Sequence, residues 1–415
     1  MNETKNIIIG LEFRPRESQI CYYDRQEKEP ISISPKVGSN QYWFPTVLSK
    51  KPGEDVWHMG LEAEYFSTHQ GEVLIDSLYE ICREEEMVLV DGKEMEPAAL
   101  LAQYLLEVLK MSGASDPVRQ LGALMVVTEE LQGPVVRNLQ KAWELAGLTR
   151  VPCFMQDLEE SFYYYVMHQR REYLSRKVAW FTFHRNEVSF ASLSMNHRTR
   201  PVMVEIKKGK HITLPADPDE KDQAFYQLIL DSFGTDFYSS IFMVGEGFEK
   251  EWAVRSIPLL CRNQRKVFYG NNLFVWGACY AAKEKAEDHN MKGYLYEGNA
   301  LVRTNVGMEM IVQGTNAYYP VVEAGTNWYE TIKDFEILLD DMDRLVFLVN
   351  PMNSETKTFY SMQLPGLPKR PPKTTRLHVH LEYESSKICV ITVKDLGFGE
   401  MFPSSGKSWE EKVSW

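Results

Sequence analysis

The alternation of apolar and polar positions predicts that one order of elements occurs twice before about residue 290. Residues 6–24 form an apolar run, a short polar turn and a second apolar run, which is typical of a β-hairpin, and residues 178–193 repeat this pattern. Each hairpin is followed by an apolar stripe at helical spacing, a strand-like run, a turn that contains glycine and another helical stripe. Because both halves follow this order, the sequence indicates a weak internal duplication.

A strand–helix–strand unit follows the first hairpin. Residues 123–128 are an apolar strand, Gly133 and Pro134 begin a helix with one apolar face, and residues 151–155 form the next strand. From about residue 294 the pattern changes to short alternating strands, which favours a separate antiparallel β domain. The predicted segments are two α/β lobes at 1–174 and 175–290, a β domain at 291–400 and a short tail at 401–415.

The composition argues against several classes of partner. A formal net charge of -12 over 415 residues disfavours nucleic acid and anionic membranes. No run approaches the roughly 20 apolar residues that a membrane span requires. The first residues lack the apolar core of a secretory leader, and the six cysteines are scattered without a C-x-x-C pair. We therefore expect a cytoplasmic protein with reduced core thiols.

The turn of the first hairpin differs from a phosphate-binding turn. In two-lobed phosphate-binding folds this turn surrounds a phosphate with backbone N–H groups, and glycine allows the close approach and positive φ that this requires. Here the turn is Arg14-Pro15-Arg16, and Glu12 lies just before it. Because proline has no N–H and a fixed φ, the sequence predicts the hairpin but not the phosphate cradle.

Several segments together resemble the 70-kDa heat-shock chaperones. Residues 87–111 combine a D-G-K turn, a proline and an amphipathic helix, whereas residues 124–166 contain a strand, a helix that ends in A-G-L and an aromatic helix. Residues 244–247 resemble the family's adenosine-side turn, and residues 312–349 and 387–399 follow its β domain in order and spacing. The resemblance covers nearly the whole chain. It implies an α/β actin-like (ribonuclease H-like) two-lobed domain with one lobe truncated, followed by an antiparallel β-sandwich domain without a helical lid.

The chain departs from that family at the positions that handle the nucleotide. The family's first turn reads D-L-G-T-T, its second phosphate turn is a glycine triplet, and a catalytic lysine is expected before the D-G turn. Here the second turn contains His184 and Arg185, and no lysine occurs between Lys51 and Lys93. The interval between the second hairpin and Val244 is too short for the subdomain that closes over adenine in that family. Phosphoryl transfer depends on positioning and charge neutralisation. The sequence therefore favours loss of ATP turnover, with no cofactor expected and ATP with Mg²⁺ as the alternative.

The two hairpin turns and the acids near them are candidates for an altered nucleotide cleft. Glu12 could hold a hydrated Mg²⁺, as the family's aspartate does, or it could be a strand-end acid beside an arginine, which we favour. The basic turn residues could bind an anion through side-chain charge. Equally, they could form salt bridges with acids such as Glu12, Asp157 and Glu159. The predicted cleft residues are Glu12, Arg14, Arg16, Asp157, His184, Arg185 and the tight turn Gly245, Glu246 and Gly247.

The resemblance also implies a peptide-binding cradle in the β domain. Thr315 and Asn316 replace the two glycines of the family's arch, but an extended apolar peptide could still pair with this edge. An ordinary sandwich core is the alternative. No metal site is predicted, since His378 and His380 share a strand face that is best explained as solvated. The implied cradle residues are Gln313, Gly314, Thr315, Asn316, Ala317, Ile337, Leu338, Leu339, Val346 and Leu348.

Together these features predict a degenerate heat-shock-70-like protein that acts in the cytoplasm as a protein-binding or scaffold module without ATP turnover. The expected partner is a protein or an extended peptide, and neither nucleic acid nor membrane is expected. Two alternatives stay open: an active or ATP-regulated chaperone with an altered nucleotide site, and an actin-like assembly protein. The sequence does not predict an oligomeric state.

Overall fold

The chain divides into two compact units, Met1–Gly298 (unit 1) and Asn299–Trp415 (unit 2). Unit 1 mixes helices and strands, whereas unit 2 consists mainly of antiparallel strands, so the predicted mixed α/β architecture is confirmed. No helix in the described part of the chain is long and apolar enough to cross a membrane. The computed structural model describes residues 6–36, 38–114, 116–312, 314–352 and 356–415.

Unit 1 contains short and long strands with helices between them. Its strands are β1 (Ile7–Phe13), β2 (Glu17–Asp24), β3 (Glu29–Ile33), β4 (Phe44–Pro45), β5 (Leu48–Lys50), β6 (Trp57–Met59), β7 (Val73–Ile75), β8 (Val88–Val90), β9 (Lys93–Met95), β10 (Leu121–Thr128), β11 (Cys153–Asp157), β12 (Lys177–His184), β13 (Glu187–Asn196), β14 (Val202–Thr213), β15 (Tyr238–Glu246), β16 (Lys266–Tyr269) and β17 (Tyr294–Tyr296). Its α-helices are α1 (Gly60–Gln70), α2 (Leu78–Glu84), α3 (Pro97–Lys110), α4 (Pro117–Gln120), α5 (Gly133–Leu145), α6 (Leu158–Met167), α7 (Pro218–Phe233), α8 (Ser256–Leu260) and α9 (Leu273–Lys283).

The two large sheets of unit 1 share one strand order and one pattern of strand directions. The first sheet has the order β11-β10-β1-β2-β3, and the second has β16-β15-β12-β13-β14 with β17 added at its edge. In each sheet the hairpin strands are antiparallel, while the first hairpin strand lies parallel to its other neighbour, which is β10 for β1 and β15 for β12. The order of elements that repeats in the sequence therefore corresponds to two sheets of the same topology.

Helix α9 packs directly on the first sheet. Ile8, Ile9 and Leu11 of β1 are fully buried, which explains why this strand is a continuous apolar run. A Cβ atom at Gly10 would lie 2.5 Å from the carbonyl oxygen of Val275 in α9. Glycine at position 10 therefore permits the helix backbone to contact the strand.

The same helix also contacts α6 and the core of the second sheet. The Ser161 hydroxyl of α6 donates to the carbonyl oxygen of Phe274, and a Cβ atom at Gly277 would overlap the carbonyl oxygen of Ser161. The Phe274 ring packs against Trp180 of β12, with 5.4 Å between the ring centroids. Since Val275 and Phe274 face different sheets, the start of α9 fixes the two sheets relative to each other inside unit 1.

Unit 2 is built from antiparallel strands. They are β18 (Thr304–Val312), β19 (Thr315–Val322), β20 (Ile332–Leu339), β21 (Arg344–Pro351), β22 (Thr358–Gln363), β23 (Thr375–Ser385), β24 (Ile388–Gly397) and β25 (Ser408–Ser414). They form two four-stranded sheets, with orders β19-β18-β21-β22 and β20-β23-β24-β25. Trp415, which directly follows β25 of the second sheet, lies beside Phe347 of β21 in the first sheet, with ring centroids 6.4 Å apart, and so the two sheets face each other.

The predicted short tail at 401–415 is wrong, because β25 lies within it and pairs with β24 from Lys394 to Ile388. Only Val413 of this strand is buried, so its sequence shows little apolar alternation. The strand forms because it pairs the backbone groups of β24 that an edge position would leave unpaired.

A buried ion pair anchors the connection between β22 and β23. Both terminal nitrogens of Arg370 donate to the carboxylate of Asp395, each at 2.8 Å, and both side chains are nearly inaccessible to solvent. The Arg370 guanidinium holds the pKa of Asp395 well below its usual range. The proline-rich stretch at 365–372 is thus the connection between these two strands.

Candidate functional site

The candidate cleft of unit 1 begins at a buried carboxylate near the end of β1. Glu12 is fully buried, and its Oε1 lies 2.6 Å from Nε of Arg14. The Gln19 side-chain amide donates to Oε2 of the same carboxylate at 2.7 Å. Burial raises the pKa of Glu12, and the nearby guanidinium and the amide offset part of that increase. The charge of Glu12 is therefore compensated by the chain itself.

The Arg14 guanidinium fills the space beside the first hairpin turn. Its central carbon lies 5.5 Å from the ring centroid of Trp43 and 5.1 Å from that of Phe274. Two aromatic rings and a carboxylate therefore contact one guanidinium, a combination that favours a fixed position for the side chain. Arg16, by contrast, is exposed and has no ion pair with any described residue.

Asn271, just before α9, connects the first hairpin to the end of β15. The Gln19 amide donates to the carbonyl oxygen of Asn271, and the backbone N–H of Gly245 donates to Oδ1 of Asn271, both at 3.0 Å. We call this set of three residues the Asn271 bridge. It joins β2 of the first sheet to the end of β15 in the second. Nothing in the sequence pattern singles out Asn271.

The glycines at 245 and 247 are required by close contact with the second hairpin. Their φ angles are 98° and 109°, a region that side chains rarely adopt. A Cβ atom at Gly245 would overlap the carbonyl oxygen of Phe183, and one at Gly247 would overlap that of Arg185. Packing of two backbone segments therefore accounts for this glycine pair without a phosphate.

The basic residues of the second turn do not join Arg14 at Glu12. His184 and Arg185 are exposed, and among the described residues neither forms an ion pair. The cleft acid Glu159 is instead paired with Lys208 of β14, with 2.6 Å between Oε1 and Nζ. Of the four basic turn residues expected to converge, the structure brings only Arg14 into contact with an acid.

Asp157 caps the aromatic helix α6. Its side chain accepts a hydrogen bond from the backbone N–H of Glu160 at 2.8 Å. Burial raises the pKa of Asp157 to about 7, and the neighbouring Glu159 and Glu160 carboxylates contribute to this rise. The capping group is thus partly protonated at neutral pH.

The surroundings of the cleft are rich in acids. Besides the carboxylates already described, Glu129 lies near enough to contribute to the raised pKa of Glu12. Burial raises the pKa of Glu17, and the nearby Glu246 carboxylate adds to this rise. The pKa of Lys208 is raised by its partner Glu159 and, to a smaller extent, by Glu130. Carboxylates repel a bare triphosphate but attract Mg²⁺, so these acids alone do not decide whether the pair would fit. The misfit to a nucleotide lies at the first turn, where proline has no N–H and the Arg14 guanidinium fills the space.

The predicted peptide cradle of unit 2 is only partly exposed. Gly314, Thr315, Asn316 and Ala317 lie in and after the β18–β19 turn and are exposed, whereas Gln313 lies outside the described residues. The remaining predicted residues are Leu338, which is exposed, Ile337 and Val346, which are half-buried, and Leu339 and Leu348, which are buried. Residues 315–317 lie on β19 and residues 337–339 on β20, which are edge strands of different sheets, whereas Val346 and Leu348 lie on the interior strand β21. Tyr319 of β19 packs against Phe335 of β20, with centroids 6.0 Å apart.

A pocket of about 550 Å³ lies on the outer face of the first sheet of unit 2. Of the predicted cradle residues, Leu348 is part of its lining. The sequence pattern did not single out the other lining residues. A glycine within strand β18, at position 307, is a local feature connected with the pocket, because a Cβ atom there would overlap the Tyr318 ring. The principal lining side chains are Asn305, Glu309, Tyr318, Glu323, Leu348 and Asn350.

These features define the chain as a mixed α/β protein. Unit 1 has two sheets of the same topology and a buried Glu12 carboxylate that is paired with Arg14, and unit 2 is a separate unit of antiparallel strands. Residues 29–299 match the C-terminal part of a family of unknown function, DUF5716. Since this match covers more than half of the chain, the protein belongs to the DUF5716 family. Residues 301–415 match a domain of unknown function, DUF8552, so that the two matches meet near the boundary of the two units. No curated protein matches the chain.

Proposed function

We propose that the protein is a degenerate heat-shock-70-like module that binds protein partners without ATP turnover. In this proposal unit 1 is an actin-like, ribonuclease H-like domain whose nucleotide cleft is filled by its own side chains. Unit 2 supplies the surface that binds a protein or an extended peptide. The protein acts in the cytoplasm, in keeping with its scattered free cysteines and the other features of its composition.

The sheet topology of unit 1 supports the actin-like assignment. Two sheets of one strand order, each with an antiparallel hairpin at the centre, agree with a duplicated fold of this class. The crossing of α9 from one sheet to the other, with its backbone against Gly10, agrees with a cleft between two lobes. Topology alone does not confer function, which depends on the residues of the cleft.

The ion pair of Glu12 and Arg14 is the observation that carries the proposal. A phosphate cradle needs open backbone N–H groups at this turn, yet the turn contains a proline and the Arg14 guanidinium occupies the space between Trp43 and Phe274. Of the residues that replace the cradle, Arg14 is already paired with Glu12. A nucleotide would have to displace the Arg14 guanidinium from the contacts it makes.

The edges of unit 2 support a binding role. Strands β19 and β20 are edge strands, whose backbone N–H and C=O groups can pair with an added segment. Apolar side chains are exposed along them, including Tyr318 of β19 and Ile332 and Leu338 of β20. Exposed apolar groups at a sheet edge favour an extended chain as the ligand.

Calorimetric titration of the full-length protein with ATP and Mg²⁺ tests the nucleotide part of the proposal. We expect no heat of binding up to millimolar ATP and no phosphate release above that of buffer. ATP hydrolysis that disappears in Glu12→Gln but persists in Glu400→Gln, a matched change at an exposed residue of unit 2, would overturn the proposal in favour of an active chaperone. A polymer peak in sedimentation on addition of ATP would instead favour an actin-like assembly protein.

A further inference from the structure

The pocket of unit 2 presents more hydrogen-bond acceptors than donors. The carboxylates of Glu309 and Glu323 line it, and neither forms an ion pair with a described residue. Asn350 also lines it, and the Oδ1 atom of that residue is buried without a hydrogen-bond partner among the described residues. An unpaired buried acceptor is unfavourable in a folded protein unless water or a ligand supplies the donor.

An aromatic face forms another wall of the same pocket. Tyr318 projects from β19 across Gly307 of β18, and only glycine leaves room for the ring at that place. The Tyr318 side chain is 47% exposed, so its ring remains accessible to a ligand. The face of an aromatic ring attracts cations, and most strongly a planar cation that can stack on it.

We propose that this pocket binds the guanidinium group of an arginine in an extended segment of a partner protein. Arginine carries five N–H donors and no acceptor, which matches two carboxylates and an unpaired amide oxygen. Its planar head can stack on Tyr318 while its donors reach the acceptors. An ammonium group has three donors and no plane, so lysine satisfies fewer of these groups.

Lys357 provides an independent test, because its substitution should strengthen arginine binding where the glutamate substitutions weaken it. It is exposed at the pocket and is the cation among the lining residues. Two carboxylates and one ammonium leave the lining with a net negative charge. Lys357 competes with a bound arginine for the carboxylates, so Lys357→Gln strengthens arginine binding, and the substitution of an exposed side chain leaves the fold intact.

The inference rests on the proposed function, in which unit 2 binds an extended chain. The test uses the full-length protein and two fluorescein-labelled peptides that differ only in a central arginine or citrulline, its neutral isostere. Anisotropy titrations should show that the arginine peptide binds about tenfold more tightly. Glu309→Gln and Glu323→Gln should each reduce this preference by about threefold or more, while Glu400→Gln leaves it unchanged and Lys357→Gln increases it.

The possible failures can be told apart. Equal binding of the two peptides by the native protein overturns the arginine pocket but leaves the proposed function in place. Binding of neither peptide overturns the binding role of unit 2 as well. An arginine preference that survives both glutamine substitutions places the cation elsewhere and also overturns the inference. Circular dichroism of each variant distinguishes loss of binding from loss of fold.

Discussion

Replacing Arg14 by methionine should destabilise unit 1 far more than replacing Glu12 by glutamine. Glu12 is fully buried, whereas the Arg14 side chain is 23% exposed. Removing the guanidinium leaves a buried carboxylate with a single amide donor, and breaking a buried pair in this way costs roughly 3–5 kcal/mol. Removing the carboxylate leaves an arginine that still contacts two rings and reaches solvent, so we expect a loss of about 1 kcal/mol.

Urea unfolding at pH 8, followed by tryptophan fluorescence, measures these losses. Hydrogen exchange of β1 assigns them to unit 1, which is needed because the chain has two units. Arg16→Met is the matched control, since Arg16 lies in the same turn but is exposed. The double variant Glu12→Gln/Arg14→Met contains no buried charge and should lie within about 1.5 kcal/mol of the native protein, which completes a double-mutant cycle.

The loss caused by Arg14→Met should become smaller at low pH. Burial raises the pKa of Glu12, and Arg14 lowers it in part, so the pKa rises further once Arg14 is removed. As the pH falls through that higher value, the folded variant binds a proton and no longer holds a buried charge. The destabilisation should therefore be larger at pH 8 than at pH 5. Equal losses for Arg14→Met and Arg16→Met, or a loss that is independent of pH, would refute the role assigned to the pair.

Three further changes test other contacts of the fold. Burial raises the pKa of Asp157 from 3.8 to about 7. The native protein therefore loses stability as the pH rises through this range, because the folded state then has to hold a buried charge. Asp157→Asn keeps the helix cap without the charge, so urea midpoints should show that it adds about 2.5 kcal/mol more to the free energy of unfolding at pH 8 than at pH 5. Gly277→Ala should lower the free energy of unfolding by about 2 kcal/mol, because the added Cβ overlaps a backbone carbonyl. Gly270→Ala is the control, since the space around Gly270 is open, and should change the free energy of unfolding by about 0.5 kcal/mol or less. Equal effects of the two variants in urea unfolding would contradict this packing. Arg370→Met should cost about 3 kcal/mol and lower the hydrogen-exchange protection of β24, because the buried Asp395 carboxylate loses its counterion and keeps only its hydrogen bonds from Ser405 and Gly397. Unchanged protection would show that the ion pair contributes little.

The local elements could be predicted from the sequence because their signals are local. Helix α3 begins at Pro97 and α5 at Gly133, where proline and the apolar spacing indicate a start, and Asp157 caps α6. Both hairpins also lie where apolar runs flank a polar turn. Strand β25 was missed because only Val413 is buried along it, so pairing with β24 rather than apolar periodicity determines this strand.

The candidate cleft could be predicted only in part because its contacts join distant parts of the chain. That Glu12 lies beside an arginine follows from their spacing in one hairpin. That Arg14 lies between Trp43 and Phe274, or that Asn271 bridges two sheets, depends on the position of α9 and has no local signal. The pocket of unit 2 likewise combines side chains from several strands, and Leu348 alone links it to the predicted cradle.

The contacts that replace the expected nucleotide site also hold the two sheets of unit 1 together. A nucleotide-driven fold of this class must open and close its cleft, and lobe closure of this kind requires an interface that can separate. Here the Asn271 bridge joins the first hairpin to Gly245, and the Phe274 ring packs against Arg14 on one side and Trp180 on the other. Opening would therefore expose Glu12 and break contacts on both sheets. On the proposed function, unit 1 is accordingly a rigid support, and the binding specificity of the protein lies in the acceptor-rich pocket and edge strands of unit 2.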